Sequence, residues 1–333
     1  MKTARLRIDL PKITRNARAV LAICRSHGMG LMGVTKGVCG DPHVARAMLE
    51  AGVKTLGDAR LDNVVRMREA GIDAPITLIR SPAPSEAADC VHYADGSLNS
   101  DRDVVKALSS EAARAGKVHR VVLMVDFETG REGFHPDDIA DVFVEASGLP
   151  GLAIEGIGLY LDYQSDDDFV IEKQQAFVAL ARRITTEHAI DLPILSGGST
   201  NVFRRVLKGR VVEGINQLRI GTSILLGIAS SLGPIVIDDL EQDTFLLDVE
   251  LIEVKPRGKR IGLLPVGKLD APKEQLFPVR PEIAIVDQTS DHTMLDLTGA
   301  QPLPRTGDTV SFRLGYSALN RLMASRYVVA GYR

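Results

Sequence analysis

Lys36 is the residue whose type and position most clearly suggest a chemical role. It lies in the segment GLMGVTKGVCGDP, where it directly follows an apolar run. We expect a β-strand to end there and a loop to begin. Burial disfavours a charged ammonium and lowers its pKa, which makes a lysine nucleophilic enough to form an imine. The alternative is a surface lysine at a strand end. The imine-forming lysine is the better interpretation only if other parts of the chain build a cofactor site around this amine.

A second feature is the loop SGGSTN (196–201), which precedes a helix-like stretch at Asn201–Leu207. Glycines expose backbone N–H groups, and a helix N-terminus favours an anion. The segment RIGT (219–222) follows on the next apolar run. Taken together they predict a phosphate site, whereas SGGST alone fits a simple turn and cap equally well.

The elements that would position these groups alternate regularly. From about residue 11 to 233, short apolar runs alternate with amphipathic stretches, which predicts a (β/α)8 barrel. An open doubly wound sheet is the main alternative, but no GxGxxG opens the first unit. Asp101 and Gly116 are predicted to cap one helix. The predicted strands are Gly33–Lys36, Thr55–Asp58, Ile76–Ile79, Tyr93–Leu98, Arg120–Asp126, Ile154–Tyr160, Ile194–Ser196 and Leu218–Gly221. The predicted helices are Lys12–Ser26, Pro42–Glu50, Leu61–Ala70, Asp101–Ala115, Pro136–Ala146 and Phe169–His188.

The pattern changes after about Gly233, where β-rich segments and turns predict a compact β-domain of roughly 100 residues. We place the barrel at 11–233 and the β-domain at 234–333, with the N-terminal strand Arg5–Leu10 expected to pair with it. Because catalytic groups gather at the C-terminal ends of barrel strands, Lys36 and Arg219 are expected to face one pocket.

Composition excludes several classes of protein. The 333 residues are 45% hydrophobic and 25% charged, and the net charge of −3 argues against a nucleic-acid partner. Three cysteines and seven histidines show no metal-ligand spacing. We see neither a secretory signal nor an 18-residue apolar run. A cytoplasmic, metal-free protein without membrane segments is the expectation.

Several motifs, in order, resemble the alanine/ornithine racemase-like family of pyridoxal-phosphate enzymes: VTKGVCGDP, LGDAR, LNSD, LMVDFETGREGF, LSGGST, LRIGTSILLG and TSDHTMLDL. The resemblance covers essentially the whole chain and is strongest to the ornithine racemase branch. It implies a barrel with a C-terminal β-domain, pyridoxal 5'-phosphate as cofactor, and racemisation of a free amino acid, with ornithine or another basic amino acid favoured. It also implies a head-to-tail homodimer in which the partner's β-domain completes the site.

The resemblance implies individual roles. Lys36 matches the lysine that holds the cofactor, and Arg219 matches the arginine that binds the pyridine nitrogen, although a barrel-rim ion pair is an alternative for Arg219. Because arginine keeps its proton, this pairing leaves the ring nitrogen unprotonated and the ring a weaker electron sink. The residues that match the phosphate cradle are Ser199, Thr200, Gly221 and Thr222.

Racemisation needs a proton-handling group on each face of the α-carbon. Lys36 is the first. The tyrosine that acts as the second in alanine racemases has no counterpart in the matching segment 266–270, which leaves Lys268, Asp291 and His292. An imidazole titrates near neutral pH and suits proton exchange. A purely structural histidine in a turn is the alternative.

Three further matches concern the substrate and the cofactor ring. Arg131 matches the partner of the substrate carboxylate, and the alternative is a loop arginine paired to Asp126 or Glu128. Tyr160 falls where alanine racemases stack a histidine on the ring, and Tyr316 resembles a family tyrosine near the phosphate. Met124 replaces a lysine, so a carbamylated lysine is not expected.

An acidic cluster follows the sixth strand: Asp162, Asp166, Asp167 and Asp168. A carboxylate there could pair with the distal amine of a basic substrate, but acids also favour a helix N-terminus, which makes a solvated helix start the alternative. Two rival functions stay open at this point. One is a non-catalytic pyridoxal-phosphate carrier, against which the β-domain argues. The other is a racemase or lyase for a different amino acid on the same scaffold.

Overall fold

The computed structural model describes residues 3–127, 129–161, 167–229, 235–255 and 260–333. The chain forms two compact units. The barrel unit comprises Ala17–Lys36 and Gly40–Gly221, and the sheet unit comprises Met1–Asn16, Gly37–Cys39 and Thr222–Arg333. The domain boundary that we predicted at residues 233 and 234 lies outside the described residues and stays a prediction.

The barrel unit contains a closed parallel barrel of eight strands, so the prediction of a barrel is confirmed and the open doubly wound sheet is wrong. Closure is made by β9 pairing with β2, with Arg219 beside Met32 in the register. The barrel strands are β2 (Gly30–Val34), β3 (Thr55–Asp58), β4 (Ile76–Leu78), β5 (Gly96–Asn99), β6 (His119–Val125), β7 (Leu152–Leu159), β8 (Ile194–Ser199) and β9 (Gln217–Ile220).

Helices connect these strands, and capping residues fix where they begin and end. Asp101 accepts hydrogen bonds from the backbone N–H groups of Asp103 and Val104, and Gly116 ends the same helix at φ +63°. Both predicted caps are therefore confirmed. The helices up to β9 are α1 (Leu10–Ser26), α2 (Pro42–Glu50), α3 (Leu61–Glu69), α4 (Ala87–Tyr93), α5 (Arg102–Ala115), α6 (Ile139–Ser147), α7 (Asp167–His188) and α8 (Thr200–Leu207).

One barrel strand was predicted too early in the chain. Tyr93 ends α4 instead of opening a strand, and β5 begins at Gly96. Ala87, Cys90 and Val91 are buried, which is helical spacing along one face, so this segment packs as a short helix.

The sheet unit contains two sheets. In the five-stranded sheet the order is β13-β16-β10-β1-β17, and in the four-stranded sheet it is β11-β12-β15-β14. The N-terminal strand β1 pairs with β10 and β17, which confirms its predicted pairing. Two helices were not predicted, α9 and α10. The elements are β1 (Ala4–Ile8), α9 (Thr222–Leu226), β10 (Phe245–Glu250), β11 (Glu253–Val254), β12 (Ile261–Leu264), β13 (Leu276–Pro278), β14 (Ala284–Gln288), β15 (Thr293–Asp296), β16 (Thr309–Leu314), α10 (Tyr316–Ala324) and β17 (Val329–Tyr332).

A bulge in β7 sets the register of the barrel wall. The pairing of β6 with β7 shifts after Val121, so that Val122 lies opposite Gly156 rather than Glu155. Gly156 has a φ of +154°, and a Cβ atom there would collide with the backbone oxygen of Ile194 on β8. Only glycine lets the two strands approach this closely.

We therefore expect Gly156→Ala to lower the melting temperature by at least about 5 °C, because the added methyl group meets backbone that cannot move aside. Gly148→Ala is the matched control. Gly148 has a φ of −82°, and the nearest atom to an added Cβ is the Glu145 oxygen at 3.5 Å. Thermal unfolding followed by circular dichroism checks both variants, and equal melting temperatures would contradict the proposed constraint.

Candidate active site

Lys36 follows β2 at the C-terminal mouth of the barrel and begins a single 3₁₀ turn to Val38. Its side chain is exposed by surface area. Its pKa is nevertheless lowered, first by desolvation and then by the nearby cations of Arg131 and Arg219, while the carboxylates of Asp58 and Glu132 act in the opposite direction. Both observations are consistent with an amine on the wall of an open concavity, surrounded by protein on several sides.

The residue before Lys36 is tied to the neighbouring strand. The Thr35 hydroxyl donates to Asp58 Oδ2 at 2.7 Å, and the Thr35 backbone N–H donates to the Gly57 oxygen at 2.9 Å. Asp58 is fully buried, and its other oxygen, Oδ1, accepts from Asn63 Nδ2 at 2.9 Å and from the Arg60 backbone N–H at 3.0 Å. Desolvation raises the pKa of Asp58, against the lowering effect of these hydrogen bonds.

Arg219 is buried in β9. Its Nη1 donates to Ser196 Oγ at 2.5 Å, and its Nη2 donates to the Leu159 oxygen at 2.9 Å, so neighbouring strands fix the plane of the guanidinium. Burial lowers its pKa to about 10, opposed by the charge of Glu132. Within the described ranges no carboxylate lies at ion-pair distance from Arg219, so the alternative of a barrel-rim ion pair is not what the structure shows.

The SGGST loop leads into α8 as the sequence predicted. Ser199 is the N-cap residue, but its side chain makes no capping hydrogen bond, which leaves the first N–H groups of α8 for another acceptor. Thr200 is the first residue of the helix and is buried. Gly221 follows β9, and a Cβ atom there would lie 2.7 Å from the Val34 oxygen. Thr222 then opens α9.

Arg131 and Tyr160 form a stacked pair. The guanidinium carbon of Arg131 lies 4.0 Å from the centre of the Tyr160 ring. Arg131 Nη2 also lies 3.4 Å from Glu132 Oε1. Asp126, which was considered as an alternative partner, instead closes the turn before Arg131 by accepting from the backbone N–H groups of Thr129 and Gly130. Glu128, the other alternative, lies outside the described residues.

Two predicted positions are occupied by packing residues. Met124 is buried against Leu98 and Val122, with Tyr160 packed on the same cluster. In the sheet unit, Tyr316 opens α10 and packs on Gly37, where an added Cβ would lie 3.0 Å from Tyr316 Cε2. Tyr316 therefore contacts the backbone of the residue that follows Lys36 in the chain.

The three candidates for the second base lie on two adjacent loops of the sheet unit. The Lys268 backbone N–H donates to the Thr289 oxygen at 2.9 Å, which joins the loop of Lys268 to the β14–β15 turn that carries Asp291 and His292. All three side chains are exposed. Asp291 and His292 lie in this turn and not in a strand.

The acidic cluster divides into two parts. Asp162 and Asp166 lie outside the described residues. Asp167 starts α7 and pairs with Arg204 at 3.0 Å, Arg205 at 3.1 Å and Lys208 at 3.1 Å, which fixes α7 against α8. Asp168 pairs with Arg210 at 2.5 Å. Asp167 and Asp168 therefore act as a charged helix start, as the second interpretation of the sequence predicted.

Among the described residues, no group of three or more histidine, cysteine, aspartate or glutamate side chains could hold a metal ion. No helix in the same ranges has the length and apolarity needed to cross a membrane.

Sequence reasoning missed four residues that surround the candidate amine and the buried guanidinium: Thr35, Asp58, Glu132 and Ser196. Asp58 and Ser196 lie in barrel strands, close to their C-terminal ends. The rule that singled out Lys36, a polar residue at the end of an apolar run, also applies to Asp58. Ser196 could not be found this way, because its role depends on the distant Arg219.

Comparison with known proteins agrees with this geometry. The family model described as the alanine racemase N-terminal domain matches residues 8–228. The chain belongs to the alanine racemase family. It is 32% identical to a lysine racemase of Thermotoga maritima, over 98% of each chain. It is 30% identical to an ornithine racemase of Acetoanaerobium sticklandii, over 97% of this chain and 98% of the relative.

The solved structure of alanine racemase from Corynebacterium glutamicum covers 100% of both chains with a TM-score of 0.79 at 17% identity, which supports the fold alone. Members of the alanine racemase family are pyridoxal-phosphate enzymes, and the chain is a pyridoxal-phosphate-dependent amino-acid racemase. The described residues fit this cofactor. The uncapped N-terminus of α8 and the close approach at Gly221 leave room and donors for a phosphate, and the desolvated Lys36 suits an imine.

The ion pairs of Asp167 give a test of how α8 is held. Partial burial raises the pKa of Asp167, but hydrogen bonds from Lys208 and Arg204 and the charge of Arg205 lower it to about 2, below its ordinary value of 3.8. A carboxyl with a lowered folded pKa stabilises the fold above its ordinary pKa and loses that effect as the pH falls toward the folded value.

We expect Asp167→Asn to lower the urea midpoint at pH 7 and the difference from the native chain to shrink between about pH 4 and pH 2. Asp168→Asn is the control, because its side chain is 90% exposed and pairs with Arg210 at the surface. Urea titrations at several pH values check both variants. A difference for Asp167→Asn that does not depend on pH would contradict the assignment.

Proposed function

We propose that this racemase acts on a basic amino acid, with ornithine or lysine as substrate, through one proton-handling group on each face of the α-carbon. The observation that carries the proposal is the desolvated amine of Lys36 beside Arg131 and Arg219 at one end of the barrel. The choice of a basic substrate is supported by the likeness over nearly the whole chain to a lysine racemase and an ornithine racemase.

When bound, pyridoxal phosphate supplies the electron sink that makes the α-proton of an amino acid acidic. Lys36 is the residue that would hold it. Because desolvation lowers the pKa of Lys36, its neutral amine is favoured relative to that of an ordinary lysine, and Nζ would take up or return a proton on one face of the α-carbon.

Arg219 would face the pyridine nitrogen. Its pKa of about 10 keeps the guanidinium charged at neutral pH, and its bonds to Ser196 and Leu159 prevent it from turning away. The N-terminus of α8 would bind the phosphate through backbone N–H groups, aided by the hydroxyls of Ser199 and Thr200. Gly221 and Thr222 complete the proposed cradle, with Tyr316 as a further contact.

Arg131 would bind the carboxylate of the substrate through its planar pair of donors. Tyr160 packs on one face of this guanidinium, because the guanidinium carbon lies 4.0 Å from the centre of the ring. Stacking fixes the plane of the fork, which lowers the entropy lost when a carboxylate binds. Since Asp167 and Asp168 are already paired with cations, only Asp162 and Asp166 of the acidic cluster stay as candidates for the distal amine.

The second proton-handling group would come from Lys268, Asp291 or His292. We favour His292, because the two ring nitrogens of an imidazole can both donate and accept a proton. Two adjacent loops hold all three side chains exposed, so they are accessible to another chain. We therefore propose a head-to-tail homodimer in which the partner subunit supplies this group.

We expect the native chain to racemise ornithine and lysine faster than alanine and to show the visible absorbance of imine-bound pyridoxal phosphate. Lys36→Ala should lose both the absorbance and the activity. Chiral chromatography over a panel of L- and D-amino acids, together with absorbance spectra, measures both. If the absorbance survives in Lys36→Ala, Lys36 does not hold the cofactor. If the native chain carries the absorbance but racemises no basic amino acid, the proposed substrate class is wrong.

A mixing experiment tests the shared site. Lys36→Ala and His292→Ala should each be inactive alone, whereas hybrids reassembled from equal amounts should recover about a quarter of the native activity. This follows because half of the dimers are hybrids, and each hybrid has one site with both native residues. No recovery, despite hybrid dimers seen by native mass spectrometry, would contradict a site shared between subunits. Lys268→Ala and Asp291→Ala, tested in the same way, identify the second base if His292→Ala is active.

A further inference from the structure

Asp58 is a fully buried carboxylate with no part in the chemistry described so far. It ends β3, the strand next to the one that leads to Lys36. Burying a carboxylate without hydrogen-bond partners costs free energy of folding. The groups that donate to Asp58 therefore show which parts of the chain it holds together. Its donors include the Thr35 hydroxyl, the Asn63 amide and the Arg60 backbone N–H.

These donors lie on both sides of the loop that carries Lys36. Thr35 directly precedes the lysine. Asn63 packs against Gly40, where an added Cβ would lie 2.6 Å from the backbone oxygen of Asn63. Asn63 therefore contacts the end of the same loop. The Gly40 backbone N–H also donates to the Thr35 oxygen at 3.3 Å, which closes the loop on itself.

We propose that Asp58 is a positioning residue for Lys36. The buried carboxylate of Asp58 joins Thr35, which precedes the lysine, to Asn63 in α3, and so fixes the direction of the Lys36 amine. This inference rests on the proposed role of Lys36. The two oxygens of Asp58 divide the task, since Oδ2 holds Thr35 while Oδ1 holds Asn63 and the Arg60 backbone N–H. The Thr35 bond thereby ties the backbone that directly precedes Lys36 to β3.

The charge of Asp58 has a second effect on the same amine. Desolvation and the cations of Arg131 and Arg219 lower the pKa of Lys36, and Asp58 raises it. Glu132 acts in the same direction as Asp58 but ranks after Arg219 among the causes. Loss of the charge should therefore lower the pKa of Lys36 further, whereas loss of the Thr35 hydroxyl alone should not.

Two substitutions separate charge from position. Asp58→Asn keeps the shape of the side chain and removes the charge, and the Thr35 hydroxyl can turn to accept from the new amide. Thr35→Val keeps the charge and removes the hydrogen bond, with Thr35→Ser as the conservative rescue. Asp41→Asn is the matched control. Asp41 is equally buried, accepts from the backbone N–H groups of His43 and Val44, and is not among the groups that shift Lys36.

The first measurement is the pH dependence of Lys36 acetylation by acetic anhydride in the full chain without cofactor, read by mass spectrometry. We expect Asp58→Asn to lower the midpoint by about one unit and Thr35→Val to leave it unchanged. Asp41→Asn should also leave it unchanged. The proposal is overturned if Asp58→Asn does not move the midpoint, or if Asp41→Asn moves it equally.

The second measurement is a spectral titration with pyridoxal 5'-phosphate. Thr35→Val should bind the cofactor about tenfold more weakly, and Thr35→Ser should bind it as the native chain does. Native affinity in Thr35→Val would show that the hydrogen bond does not position the lysine, even if Asp58→Asn fails to fold. Failure of the proposed role of Lys36 is seen separately, because the labelling midpoint does not depend on bound cofactor.

Discussion

The site depends on the balance of charge around one amine. Lys36 lies near two guanidinium groups, those of Arg131 and Arg219, and near two carboxylates, those of Asp58 and Glu132. Desolvation magnifies each of these interactions, because a partly buried charge is screened less than one in water. The barrel fixes this balance, since the groups lie on different strands and loops of a closed sheet and cannot move apart independently.

The cationic side chains at this end of the barrel are held in place by neighbouring residues, which keeps this balance of charge fixed. Arg219 is fixed by Ser196 and Leu159, and Arg131 by the Tyr160 ring. A guanidinium that binds a planar partner gains most when its own plane is already set. The ring nitrogen and the substrate carboxylate would each meet such a preset donor, so substrate binding need not reorganise the site.

Much of the fold was predictable because its signals are local. The strand at Thr55–Asp58 and the helix at Pro42–Glu50 have their predicted bounds, since apolar runs and caps such as Asp41 are written in neighbouring residues. The error at Tyr93 arose where a short helix, α4, ends only two residues before the strand β5 begins. Lys36 was predicted from its position at a strand end and Arg219 from the RIGT segment, whereas the hydrogen bond from Arg219 to Ser196 joins residues on different strands and has no local signal.

The second proton-handling group shows the limit of a single chain. Lys268, Asp291 and His292 share two joined loops, and all three side chains are exposed in the single chain. Lys36, in contrast, has its pKa shifted by charged groups of its own barrel. If the partner subunit completes the site, the desolvation that tunes the second base arises only on assembly. The identity of that base is then a property of the dimer.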